Sequence, residues 1–176
     1  MVKNKKRLFC LVLTSILTAI TVVLSRFLSI NIWNMSIGFS FVSVMLCGML
    51  LGSLSGGICG VLADLVGALL FPFGPYFPGF TATAFLSGAV FGLIGYFAGK
   101  EQKRTTFILL AVSLLVLKET VCSLLLNSLW ISLLYGSPFT AVLISRIPLS
   151  AITLVLEVAL AIVLKEFLIP KVRKEL

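Results

Sequence analysis

Phe71-Pro72-Phe73-Gly74-Pro75-Tyr76-Phe77-Pro78-Gly79-Phe80 sets three prolines, two glycines and five aromatic residues between two long apolar runs. It cannot continue a helix, because proline lacks the backbone donor and collides with the preceding turn, yet it is too apolar for an ordinary solvated loop. An apolar environment must cover it. Two readings fit. One is an aromatic belt at the membrane interface, closing the ends of two transmembrane helices. The other is a wall over a flat, ring-shaped ligand, since rigid aromatic loops offer stacking surface at little ordering cost.

Working outward, 60% of the 176 residues are hydrophobic and only 11% are charged. With a mean hydropathy of +1.19, this is the composition of an integral membrane protein, and its length leaves no room for a separate soluble domain. The net charge of +8 would suggest nucleic acid in a soluble protein, but here the basic residues cluster beside apolar runs and act as topology signals. No nucleic-acid partner is expected. Lys3, Lys5, Lys6 and Arg7 before an apolar run have the layout of a signal peptide. The length of that run and the spans that follow make it a first transmembrane helix instead. Cys10, Cys47, Cys59 and Cys122 are scattered through apolar segments, so they are expected to be small buried side chains, not a disulfide or metal framework.

The apolar runs place helices at roughly 8–27, 37–52, 55–71, 80–99, 105–134 and 139–168. An unbroken helix from Ile37 to Phe71 would be about 52 Å long at ~1.5 Å per residue, well beyond a ~30 Å hydrocarbon core. Gly52-Ser53-Leu54-Ser55-Gly56-Gly57 is the natural turn. Charge supports the count: with six spans, the Lys3–Arg7 cluster, the 99–104 loop and the basic tail all fall on the cytoplasmic side, and the outer loops carry almost no charge. The expected fold class is an all-α membrane protein, a six-transmembrane-helix bundle with cytoplasmic N- and C-termini, forming a single membrane domain over 1–176. Glycines recur at four-residue spacing (Gly48, Gly52, Gly56, Gly60; Gly88, Gly92), as in ridges that let membrane helices approach closely.

Arg26, Asp64, Lys118, Glu119, Arg146 and Glu157 lie within or at the edge of the spans. Each is costly in hydrocarbon, so each should face the bundle interior. They either brace the bundle as ion pairs or serve a ligand. Asp64 and Arg146 lie about 10 and 12 Å below the outer helix ends at ~1.5 Å per residue, with Asn127 at similar depth and Lys118 and Glu119 deeper. At ~100° per residue, Arg146, Ser150, Thr153 and Glu157 share one stripe of the last helix, and Glu119, Ser123, Asn127 and Trp130 share one of the fifth. The two stripes are expected to face each other. Lys118 and Glu119 point ~100° apart and are not expected to pair. The pattern describes an outward pocket of rings and amides with a carboxylate and guanidiniums, suited to a planar heterocycle with a negatively charged tail.

Several chemistries lack their residues. There is no histidine, which removes His-based acid–base catalysis and the usual zinc motifs. Gly99-Lys100 is followed by Glu101, not Ser or Thr, so there is no phosphate loop, and no serine sits in Gly-x-Ser-x-Gly. No enzyme activity, metal or cofactor is expected of this chain. Any energy for pumping must come from elsewhere.

Ser25-Arg26-Phe27-Leu28-Ser29-Ile30, Ile37-Gly38-Phe39-Ser40-Phe41 and above all the run from Ala63-Asp64-Leu65-Val66-Gly67 through Pro78-Gly79-Phe80-Thr81 resemble the substrate-binding S components of energy-coupling factor (ECF) transporters, the folate-specific members in particular. The motifs cover the first half densely; the second half matches in length, spans and scattered polar residues. The resemblance implies a membrane subunit of the bacterial plasma membrane that captures a vitamin at the outer face. It implies partners as well, a membrane scaffold subunit and two cytoplasmic ATPases, with delivery by tilting within the bilayer. For folate it implies that Asp64 or a nearby polar group reads the pterin ring, while Trp33, Phe71, Phe73, Tyr76, Phe77 and Trp130 stack. Arg26 and Arg146 would hold the glutamate carboxylates, with Asn34 and Asn127 adding hydrogen bonds. The family docks on its scaffold through a small-x-x-x-small motif in the first helix, where this chain has Ser15 and Ala19. The competing readings are the same architecture for riboflavin, thiamin or pantothenate, a small standalone carrier or channel, and a purely structural membrane subunit.

Overall fold

A computed structural model gives the fold of residues 2–32, 35–72, 74–100 and 103–168. Helix α1 (Val2–Arg26) leads into a small antiparallel hairpin, β1 (Ile30–Ile32) against β2 (Met35–Ile37), with Ile30 opposite Ile37 and Ile32 opposite Met35. Three helices follow: α2 (Ser40–Leu51), α3 (Ser53–Leu70) and α4 (Pro78–Ala98). The fifth span is composite, with α5 (Arg104–Lys118), a π-helical stretch (Glu119–Leu126) and α6 (Asn127–Tyr135) running on as one rod. The sixth is α7 (Phe139–Val163), which ends in a π-helical turn (Leu164–Leu168).

The fold is the helical bundle that the apolar runs predict. Five of the spans are long and apolar enough to cross a membrane. Helix α2, with 12 residues, is about 18 Å long and falls short of a ~30 Å hydrocarbon core. It starts at Ser40 rather than near residue 37 because Met35–Ile37 is taken up by pairing with β1. Its other end is set by Gly52, whose φ of +95° suits glycine and strains any L side chain. Pro78 opens α4 from its first turn, where a missing N–H costs nothing.

Helices α3 and α4 meet backbone to backbone. A Cβ added to Gly88 would lie 2.1 Å from the Gly56 carbonyl oxygen, and one added to Gly92 would lie 2.2 Å from the Ser53 backbone. The glycine spacing thus marks a seam in which bare backbone fills the place of side chains. The buried core (Met45, Cys47, Ile94, Phe107, Leu115, Ala161 and Leu164) gathers toward the end of the bundle that carries the 99–104 loop. The four cysteines are free thiols, and Cys47, Cys59 and Cys122 are buried. Large apolar side chains such as Leu11, Ile16, Leu69, Leu109 and Val155 cover the outside, as a lipid-facing surface requires. With one end filled, the space in the bundle lies toward the other.

Candidate ligand-binding site

A cavity of 430 Å³ lies among α1, α2, α3, α4, the fifth span and α7. That is within the ~300–1,000 Å³ of small-molecule sites. Its lining contains all six of the intramembrane ionisable residues: Arg26, Asp64, Lys118, Glu119, Arg146 and Glu157. Three cations and three carboxylates balance, as a dry interior demands.

Arg26, at the end of α1, folds its guanidinium over the backbone of α3: a Cβ on Gly67 would lie 2.5 Å from Arg26 Nε. One turn back on α3, Asp64 compensates its charge. Thr81 donates from Oγ1 to Asp64 Oδ2 at 2.6 Å, and the Tyr76 hydroxyl lies 3.0 Å from the same Thr81 oxygen. Thr81 has one proton and gives it to the carboxylate, so the Tyr76 hydroxyl must be the donor in the second bond. The aromatic loop is thereby tied to the cavity wall through Tyr76, Thr81 and Asp64.

On the opposite wall the two polar stripes do face each other. Ser123 and Ser150 are joined hydroxyl to hydroxyl at 3.1 Å, and Lys118 Nζ reaches Glu157 Oε1 at 2.5 Å. The expectation that Lys118 and Glu119 would not pair is overturned, since Lys118 Nζ also lies 2.5 Å from Glu119 Oε1. The ~100° rule assumes an α-helix, but the chain turns π-helical at Glu119 and widens, and the long lysine stem curls back to meet it. Arg146, half-buried on α7, has its charge offset by Glu119. Asn127 Oδ1 lies 2.9 Å from the Thr83 hydroxyl, which fixes the amide at the edge of the cavity.

Of the residues predicted to bind a ligand, Arg26, Asp64, Asn127 and Arg146 line the cavity together. Phe71, Tyr76, Phe77 and Trp130 lie outside its lining. Phe71 is edge-on to Phe27 at 5.2 Å, and Phe77 packs on Trp130 at 5.5 Å and Phe80 at 6.2 Å, so these rings pack on other rings in two separate groups. Trp33, Asn34 and Phe73 lie outside the described residues. Among the described residues, the rings that line the cavity are Phe39, Phe41 and Phe91. Phe39 and Phe41 were visible in the Ile37–Phe41 motif, where their alternation around Ser40 was the available signal. Gly67, Thr81 and Thr83 were missed too, because their parts depend on partners far away in sequence. Ser15 and Ala19 are exposed on α1, and Ser15 satisfies its hydroxyl on the Leu11 carbonyl at 2.9 Å. Ser15 and Arg26 share a helix face, yet Arg26 at the helix end bends inward to the cavity while Ser15 faces out.

A membrane-type helical bundle filled at one end, with a polar, charge-balanced cavity toward the other, has the form of a small-molecule binding subunit. The family described as "ECF transporter, substrate-specific component" matches residues 9–165, and the chain belongs to it. Among curated proteins it is 33% identical over 147 residues to the folate transporter FolT of Clostridium novyi, covering 84% of this chain and 82% of that one. It is 32% identical over 125 residues to the folate transporter FolT of Leuconostoc mesenteroides subsp. mesenteroides, covering 70% of this chain and 64% of that one. Its fold is similar to the crystal structure of FolT bound with folic acid, with a TM-score of 0.76, 32% identity, and coverage of 88% of this chain and 91% of the other.

Proposed function

We propose that this chain captures folate at the outer face of a bacterial plasma membrane and delivers it inward as the S component of an ECF transporter. The observation that carries the substrate is the fold match, at 32% identity over nearly the whole of both chains, to a FolT that holds folic acid. The cavity has the matching chemistry. A folate molecule is a flat heterocycle joined to a glutamate with two carboxylates, and the cavity offers acids for ring N–H groups and guanidiniums for the tail. Arg26 and Arg146 hold the tail, one of the cavity acids reads the ring, and Asn127 adds a hydrogen bond. A membrane scaffold subunit and two cytoplasmic ATPases supply the energy, with Ser15 and Ala19 on the exposed face of α1 as the docking contact. Lys100, Lys103, Arg104 and Lys165 cluster at the filled end of the bundle, which by the positive-inside tendency is cytoplasmic, so the cavity opens outward.

The binding role is tested at Arg146. Replacing Arg146 with alanine removes a charge-assisted contact to the tail, and folate affinity measured by calorimetry in detergent is expected to fall more than tenfold, about 1.4 kcal/mol or more. Unchanged affinity would reassign Arg146 to a structural pair with Glu119.

A further inference from the structure

The charge of this chain is distributed unevenly. Arg26, Lys118 and Arg146 in the cavity are matched by Asp64, Glu119 and Glu157, so the net charge of +8 belongs to residues 3–7, 100–104 and 165–175. Such an excess beside the spans sets orientation and is spread over many residues. The link between α4 and α5 adds a local arrangement to it.

Lys100, Lys103 and Arg104 are exposed there. The Cα atoms of Lys100 and Lys103 are three residues apart in the chain and so at most ~11 Å apart in space, which lets both stems reach one phosphate. Lys100 lays its ammonium 4.5 Å from the centre of the Tyr96 ring and 5.6 Å from that of Phe97. A ring face attracts a cation without neutralising it. Arg104 Nη2 pairs with Glu166 Oε1 at 2.9 Å, whereas Lys100 and Lys103 have no carboxylate partner among the described residues. One turn along α5 from Arg104, Phe107 carries the Lys165 ammonium 4.1 Å from its ring centre, a buried nitrogen with no hydrogen-bond partner. Three cations at this end thus lack a counter-ion among the described residues.

These lysines border lipid-facing surface. Leu93 and Tyr96 lie one turn apart on α4 and are 43% and 61% exposed, and Lys100 follows a turn later with its ammonium held on the Tyr96 ring. Leu109 on α5 is 67% exposed beside them in the chain's next helix. An anion seated at Lys100 therefore has hydrocarbon-compatible surface leading away from it, which a free phosphate could not use. We infer that the α4–α5 link is a docking site for an acidic phospholipid, with the phosphate between Lys100 and Lys103 and the acyl chains on Tyr96 and Leu93. Charge complementarity selects an acidic headgroup over a zwitterionic one, whose ammonium would be brought up against lysines that already lack a counter-ion. The bound lipid ties the filled end of the bundle to its leaflet, whichever ligand the cavity takes.

The test counts lipids bound to the full chain in detergent by native mass spectrometry, with phosphatidylglycerol or phosphatidylcholine titrated into the micelles. The wild type is expected to hold phosphatidylglycerol about tenfold more tightly or better. Each basic residue near the headgroups is worth about a fivefold gain in affinity for acidic lipid, so Lys100→Gln combined with Lys103→Gln should weaken phosphatidylglycerol roughly twenty-five-fold. Either single variant should weaken it about fivefold, which keeps the test open if the double variant folds poorly. The charge-matched pair Lys6→Gln with Arg7→Gln leaves the link intact and should cost less than about threefold. Equal losses in the two double variants would mean diffuse charge and no site. A wild type that does not distinguish the two lipids, or that releases phosphatidylglycerol to free glycerol phosphate, would equally overturn the inference.

Discussion

Replacing Lys118 with methionine is expected to destabilise the folded protein by about 3–5 kcal/mol, the cost of removing one partner from a buried ion cluster. The ammonium is the shared donor of Glu119 and Glu157 at 2.5 Å each, and all three side chains are at most 7% exposed. Without it, two carboxylates with further unpartnered oxygens face each other inside the bundle. The check is thermal unfolding in detergent followed by circular dichroism, where the midpoint should drop by roughly 10 °C. The double variant Lys118→Met with Glu157→Leu should recover much of that loss, because it removes a stranded charge instead of leaving it. A Lys118→Met protein that melts with the wild type would mean that the cluster is wet and does not brace the fifth span to α7.

The second large effect is expected at the α3–α4 seam. A Cβ on Gly88 would lie 2.1 Å from the Gly56 oxygen, 2.5 Å from its carbonyl carbon and 2.9 Å from the Gly57 nitrogen, all of them backbone atoms. No side chain can move aside, so Gly88→Ala must push the helices apart, at a cost of about 3 kcal/mol. Gly57→Ala makes a matched control. The three atoms nearest its new Cβ all belong to the Phe85 ring, the first at 2.6 Å, and a ring can swing where a carbonyl cannot. Gly88→Ala should therefore lose far more monodisperse protein on gel filtration than Gly57→Ala. Equal losses would mean that the seam gives way as easily as a side chain.

Much of this was legible in the chain because the signals were long or periodic. Apolar runs near the length of the hydrocarbon core gave the helices, the glycine spacing gave the seam, and the cost of charge in lipid gathered Arg26, Asp64, Lys118, Glu119, Arg146 and Glu157 toward one interior. What was not legible turns on short or local geometry. Three-residue strands such as Ile30–Ile32 carry too little pattern to announce themselves, so α2 was read too long. The π-helical stretch has no marker in Glu119–Leu126, and with it went the Lys118–Glu119 pair. The aromatic loop was read either as an interfacial belt or as a wall over a ligand, and composition does not tell which way a ring turns. Phe77 and Trp130 pack on each other, and Phe39 and Phe41, near a helix start, line the cavity instead.

Folate capture should need no subunit other than this chain. Purified in detergent, without ATP or partner subunits, it should bind folate saturably at one site, read by calorimetry and by quenching of tryptophan fluorescence, and should ignore riboflavin and thiamin. Saturable binding of riboflavin or thiamin by a folded sample that does not bind folate would contradict the account, leaving the S-component fold in place with a different vitamin.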